Sequence, residues 1–190
     1  MKHLVRVPIS KLAGPYKAHQ QVYAAVTGTA RPLWRRYPEY AMVLADNPAD
    51  DFESKQYDPS PSTGTSVRFS LLAEIAVERG EPGKTQRVDP VLAAWLASGK
   101  KDSWTSLGFE IGRQWLLNRQ ATHGFRLMST ATAQYEVMEF MREGNKIRIG
   151  TIDFTGIMEI SDSEKFKKAM LNGIGHSKAW GLGLLLCNRM

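Results

Sequence analysis

The sequence predicts an α+β fold of two tandem βαββαβ units, with a glycine-rich loop close to the C-terminal end. Strand-like alternation recurs in both halves of the chain, and each half also carries an amphipathic stretch with a helix-start signal. At 190 residues and 43% hydrophobic content, the chain has room for one large domain or two small ones and enough apolar material for a core.

The elements follow in order. Residues 3–9 alternate as a strand, and Gly14-Pro15 marks the start of a helix running to about residue 27. Residues 32–36 and 40–45 read as a short hairpin, and residues 66–77 as a long strand closing the first unit. The run Asp58-Pro59-Ser60-Pro61-Ser62-Thr63-Gly64 forbids a continuing ladder, so a second helix in this half has room only within residues 49–57. That order, βαββαβ, is the ferredoxin-like (RRM-like) unit.

Arg79-Gly80-Glu81-Pro82-Gly83-Lys84 is a flexible junction by composition. Residues 90–97 form a short helix candidate with Val91, Leu92, Trp95 and Leu96 on its apolar face, and Trp95 and Trp104 read as packing residues. The second unit repeats the first, with a strand near residues 125–129, hairpin strands near 135–141 and 146–158, a capped helix and a terminal strand at 182–187. Its first helix falls before these strands or within residues 107–121, so the repeat is imperfect. The expected divisions are residues 1–79, a linker and insertion at 80–111, and a second unit at 112–190.

The segment from Gly173 to Gly183, Gly-Ile-Gly-His-Ser-Lys-Ala-Trp-Gly-Leu-Gly, carries the most chemical information. Glycine tolerates positive φ and has no Cβ, so successive N–H groups can turn toward one phosphate while Lys178 adds a mobile charge. Part of the pattern is punctuation. Ser161-Asp162-Ser163-Glu164 reads as a capping-box start for a helix over residues 162–172, and Gly173 is its C-cap. Gly181 and Gly183 lie at the entry of an apolar strand. Walker A and dinucleotide fingerprints do not fit, because both place the strand before the glycines and the helix after them.

In the first helix, Tyr16, His19, Tyr23 and Val26 form one stripe, flanked by Ala18, Val22 and Ala25 on the core side. Tyr16 and His19 therefore fall where a side chain can be held firmly and still reach a ligand. On the residues alone such a pair is a weak signal and reads mostly as ordinary packing. A net charge of +6 favours a polyanionic partner or describes a merely basic surface. The single cysteine, Cys187, sits in the apolar terminal strand as core filler, and the four histidines show no metal-ligand spacing. No long apolar run and no signal-peptide pattern is present, so a cytoplasmic location is expected, with no membrane and no cofactor.

The helix–loop–strand order of the glycine segment resembles that of the CRISPR repeat-processing endoribonucleases of the CasE type, members of the RAMP superfamily that serve type I-E Cascade complexes. Gly14-Pro15-Tyr16-Lys17-Ala18-His19-Gln20 resembles that family's first-helix motif, and Val67-Arg68-Phe69-Ser70-Leu71 its last strand of the first domain. Trp115-Leu116-Leu117-Asn118-Arg119 through Gly124-Phe125, and Ile152-Asp153-Phe154-Thr155-Gly156-Ile157-Met158, are similar to segments of its second domain. The resemblance covers most of the chain apart from residues 80–111.

It implies two ferredoxin-like domains side by side and metal-independent cleavage of CRISPR precursor RNA at the base of the repeat stem. The nucleophile would be an internal 2′-hydroxyl, giving a 2′,3′-cyclic phosphate and a 5′-hydroxyl. Tyr16 and His19 are then the catalytic pair, His19 as acid/base, with Lys178 neutralising charge on the phosphate. RNA contacts are expected from Arg31, Arg35, Arg36, Arg142, Lys146, Arg148, Lys167 and Lys168, and from Gly173, Gly175, His176, Ser177, Gly181 and Gly183 in the loop. The run Arg142-Glu143-Gly144-Asn145-Lys146-Ile147-Arg148 reads as the tip of a basic hairpin, comparable to one the family inserts against the RNA stem. His123 and His3 are expected to be structural or exposed. Gln20 and Gln21 stand where the family often has a basic residue after the histidine. Implied partners are the repeat RNA stem-loop and other subunits of a Cascade-type complex. A non-cleaving RNA scaffold of the same fold, and a nucleotide- or phosphometabolite-binding protein using the loop alone, are the competing readings.

Overall fold

A computed structural model describes residues 2–26, 31–48, 51–80 and 86–190. The first sheet holds β1 (His3–Pro8), β2 (Leu33–Arg36), β3 (Tyr40–Ala45) and β4 (Ser54–Gln56) in the order β2-β3-β1-β4, every neighbouring pair antiparallel. Period-2 alternation puts Val5 and Val7 of β1 and Val43 of β3 on one face, where α1 (Pro15–Ala25) covers them with Ala18 and Val22. Pro15 occupies the first turn of α1, where its missing N–H has no bond to lose.

Two expectations for this half change. Residues 51–57 hold no helix and instead supply β4, whose three side chains are exposed. A helix there would have no apolar stripe to bury, whereas the edge of β1 offers a ladder, with His3 opposite Gln56. Residues 49 and 50 lie outside the described residues, as does Thr27 at the expected end of the first helix. The larger change concerns β5 (Ser66–Glu74), which pairs with β9 (Asn145–Ile160) and β10 (Leu185–Arg189) rather than with the first sheet. Its inward residues Val67, Phe69, Leu71 and Ala73 share a core with Phe154, Met158 and Phe166. Alternation gave the strand and its buried face but not the sheet it joins.

The second sheet, with β8 (Phe125–Arg142), has the order β10-β5-β9-β8. Counted from β5, the chain runs β5, α3 (Trp104–Leu117), β8, β9, α5 (Ser163–Asn172), β10, a complete βαββαβ in the same spatial order as the first sheet. The repeat that looks imperfect in the sequence is whole once β5 and α3 are its first strand and helix.

β6 (Val77–Arg79), just ahead of the expected insertion, and β7 (Gln86–Val88), within it, make a two-stranded ribbon, and α2 (Pro90–Ala97) forms as its pattern predicts. The Asp89 carboxylate caps α2 by accepting from the Val91 and Leu92 N–H groups at 3.0 and 3.2 Å. Trp95 stacks on Trp104 and Trp104 on Tyr135, with ring centroids 4.5 and 5.4 Å apart. Residues 81–84 of the expected junction lie outside the described residues. α4 (Gln120–His123) then turns the chain into β8 through Gly124 at φ +69°.

The separate strands expected over residues 125–141 are one strand. Register shifts between Leu127 and Ser129 and between Thr130 and Thr132 absorb the irregular pattern as bulges. Glu143 (φ +50°) and Gly144 (φ +80°) turn the hairpin with the two positive φ values of a type I′ turn. Asp162, rather than Ser161, caps α5, accepting from Lys165 N–H at 3.0 Å, and Gly173 ends it at φ +74°. The terminal ladder begins at Leu185; Leu182 and Leu184 are buried ahead of it.

The two halves are joined by an apolar cluster of Leu33, Leu44 and Leu184 and by Arg35 of β2. The Arg35 guanidinium donates to Ser70 Oγ at 2.6 Å and to both Asp153 oxygens at 3.0 and 2.8 Å on the second sheet. Among the described residues no helix is long and apolar enough to cross a membrane.

Candidate active site

The site lies where α1 of the first half meets the loop between α5 and β10 and the distal part of β8. Helical spacing puts Tyr16, His19 and Tyr23 on one edge of α1, because Ala18 and Val22 are buried against the sheet. His19 lies 4.2 Å from the Tyr23 ring and 6.5 Å from Tyr16, the latter nearly parallel at 12°.

Opposite them the loop folds into a 3-10 turn, Lys178–Trp180, closed by Trp180 N–H on Ser177 O at 2.9 Å and Gly181 N–H on Lys178 O at 3.2 Å. Trp180 reaches the rings of His19 (4.8 Å), Tyr16 (6.3 Å) and Phe140 of β8 (4.7 Å). Tyr16, His19, Gln20, Arg142, Ala179 and Trp180 line a cavity of about 250 Å³. The Arg142 guanidinium lies 5.7 Å from the Trp180 ring centroid.

One contact defines the histidine. His19 Nδ1 lies 2.8 Å from the Ala179 carbonyl oxygen. A carbonyl only accepts, so Nδ1 carries the proton and Nε2 is the nitrogen left for chemistry.

The structure brings Tyr16, His19 and Arg142 together. It places Lys178 next door, in a second cavity of about 700 Å³ that Ala179 also lines, with Tyr23, Arg31, Gly175, His176 and Ser177. Burial holds the Lys178 ammonium below the usual lysine pKa range. Burial also raises the Tyr23 phenol, an effect Arg31 opposes. His123 is held low by burial and by the positive charges of Arg119 and Lys178.

Several residues expected at the RNA are engaged within the chain. Arg35 is buried and spent on Ser70 and Asp153, so it ties the halves together. Gly173, Gly181 and Gly183 are buried, and their N–H groups donate to Ala169, Lys178 and Leu72 carbonyls. A Cβ on Gly181 would meet the Trp34 ring at 3.0 Å, and one on Gly183 would meet the Ile174 carbonyl at 2.9 Å. These glycines fold the loop; Gly175, His176 and Ser177 are its cavity-lining part.

Arg36 is half-buried and donates to Lys11 O at 3.3 Å. Lys146 and Arg148 flank Glu139 across the hairpin, at 2.9 and 2.7 Å, and the Lys146 bond holds that carboxyl low. On α5, Lys167 pairs with Asp58 at 3.1 Å, and Lys168 is exposed.

Sequence reasoning missed the aromatic wall around His19. Trp180 stands in a glycine-flanked loop with no helical or strand stripe to bury it, a signal that it packs against something particular. Arg119 lies 3.6 Å over the Trp115 ring, and burial pushes its pKa down to about 10. Trp34 donates its indole N–H to Ala179 O at 3.2 Å.

The chain is similar to known proteins over nearly its whole length. Residues 8–189 match the family model described as CRISPR associated protein. The CRISPR-associated endoribonuclease Cse3 of Thermus thermophilus is 26% identical over 196 residues, covering 92% of this chain and 90% of that protein. A structure of CRISPR endoribonuclease Cse3 bound to a 19-nucleotide RNA matches with a TM-score of 0.71 at 21% identity, over 99% of this chain and 100% of that one. Cas6e from Escherichia coli K-12 matches with a TM-score of 0.67 at 20% identity, over the whole of both chains. With the family model spanning both sheets and the loop between α5 and β10, the chain belongs to the CRISPR associated protein family.

Proposed function

We propose that this protein is a metal-independent endoribonuclease that cuts CRISPR precursor RNA at the base of the repeat stem-loop and stays on the product within a Cascade-type complex in the cytoplasm. The observation that carries the reading is the His19–Ala179 contact, which presents one tautomer of an imidazole beside Tyr16 and Arg142 in a single cavity. The name of the Thermus thermophilus relative states endoribonuclease activity, and matched chains come from an RNA-bound Cse3 and from a CRISPR RNA-guided surveillance complex.

RNA supplies its own nucleophile, the 2′-hydroxyl beside the scissile phosphate. The protein has to remove that proton, stabilise charge on the phosphorane and return a proton to the leaving 5′-oxygen. His19 Nε2 and Tyr16 divide the two proton transfers between them. Arg142, in the same cavity, neutralises the phosphorane, and Lys178, in the adjoining cavity, holds the neighbouring phosphate. The first half thus supplies the acid/base pair, and the second half supplies the loop and hairpin that hold RNA against it.

Incubating the purified protein with its repeat stem-loop RNA in EDTA tests this. The expected result is one cut, with a 2′,3′-cyclic phosphate on one product and a 5′-hydroxyl on the other. Tight binding with no cut would favour a scaffold of the same fold.

A further inference from the structure

The oxygen that fixes the His19 tautomer has a second donor, and that donor comes from another element. Ala179 O accepts from His19 Nδ1–H at 2.8 Å and from Trp34 Nε1–H at 3.2 Å. A carbonyl oxygen has two lone pairs, so both bonds are made together. Trp34 belongs to β2, opposite Val43 in the ladder, and is only 1% exposed, so its indole is a rigid fixture of the first sheet. The same ring supports the loop from below: Gly181, at φ +83°, is the residue whose missing side chain lets the turn rest on it. The Ala179 peptide is therefore clamped between a buried strand residue and a helix residue, while its own backbone belongs to a short turn with few internal bonds.

A buried indole N–H needs some acceptor in any fold. What sets this one apart is that it shares its acceptor with the ring nitrogen that decides which face of the histidine is basic. We propose that Trp34 is a positioning residue: by orienting the Ala179 carbonyl it holds His19 in the Nδ1–H tautomer with Nε2 turned to the RNA. The inference rests on the assignment of His19 to proton transfer. Without the indole N–H the 179–180 peptide is free to tilt, the His19 bond loosens, and the ring samples the Nε2–H tautomer, which leaves no acceptor toward the substrate.

Two variants of the full chain test this, Trp34→Phe and Trp34 replaced by 3-benzothienylalanine, which keeps the bicyclic shape and lacks the N–H. If the first folds poorly, the second still isolates the hydrogen bond. Both are read by single-turnover cleavage of the repeat RNA, by RNA affinity, and by the ¹⁵N spectrum of the histidines in the free protein. Cleavage should slow by roughly tenfold, the effect of loosening one hydrogen bond, with affinity unchanged. The His19 signals should pass from the single Nδ1–H tautomer to a mixture. A benzothienyl variant with the wild-type rate and an unmixed Nδ1–H signature would overturn the proposal.

His19→Ala in the same series separates the two levels. Slow His19→Ala beside fast Trp34 variants defeats the clamp alone. Fast His19→Ala defeats the acid/base assignment, and the ¹⁵N signature, which needs no RNA, then decides whether Trp34 holds the ring.

Discussion

At His19, the Ala179 backbone carbonyl as partner puts the ring proton on Nδ1 and leaves Nε2 for chemistry. His19→Ala is expected to slow single-turnover cleavage by about 10²–10⁴ with hairpin affinity within a few-fold of wild type. Tyr16→Phe should show a smaller loss of the same kind. Cys187 presents the opposite case, a side chain removed from chemistry. Burial pushes its thiol up to about 12, so iodoacetamide at pH 8.5 should leave it unmodified in the folded protein and alkylate it after denaturation. The folded thiol keeps its proton where the unfolded one releases it. Its contribution to stability is therefore complete below the ordinary thiol range and is lost as pH rises from about 8.5 toward 12. Tyr16, His19 and Cys187 were legible because helical and strand periodicity fix which way each side chain points. Arg35 was not: a basic residue beside Arg36 reads as surface, and only the meeting of two sheets turns it into an internal tie.

Among the elements, the loop between α5 and β10 packs glycines at positive φ against close neighbours. Gly181→Ala would add a Cβ against the Trp34 ring at a positive φ, and should cost about 1–3 kcal/mol in urea unfolding. It should also slow cleavage more than Cys187→Ser, because the displaced turn carries Ala179. Arg35→Ala leaves Asp153 half-exposed rather than sealed, so a loss of about 1–3 kcal/mol is expected by the same measurement. Glycine spacing identified this loop as special, while the reason for it was hidden. Phosphate-gripping and close-packed loops both need glycines, and the N–H groups of Gly173, Gly181 and Gly183 proved to be used inside the chain. The long hairpin was hidden differently, since bulges at residues 127–132 break the period-2 pattern without breaking the strand.

In the whole molecule, the two halves repeat one strand order and face each other across the site, and a net charge of +6 favours RNA entry. Not every arginine contributes to that. Arg142→Ala and Arg31→Ala should each reduce the log–log salt slope of RNA binding by about 0.7–0.9, whereas Arg35→Ala should leave it unchanged in filter binding. The architecture was legible as a repeat of βαββαβ order, but the seam was misplaced. A strand's alternation names its buried face and not its neighbours, so β5 was counted with the half that precedes it. In the proposed mechanism this fold positions the 2′-hydroxyl of the RNA itself as nucleophile, with Tyr16 and His19 moving its protons. It is tested most directly by replacing that one hydroxyl with hydrogen at the nucleotide 5′ of the cut, and running the modified and natural RNAs side by side in EDTA. The deoxy RNA should bind as tightly as the natural one and remain whole while the natural RNA is cut. Cleavage of the deoxy RNA at the normal site would contradict the roles given to Tyr16 and His19 together.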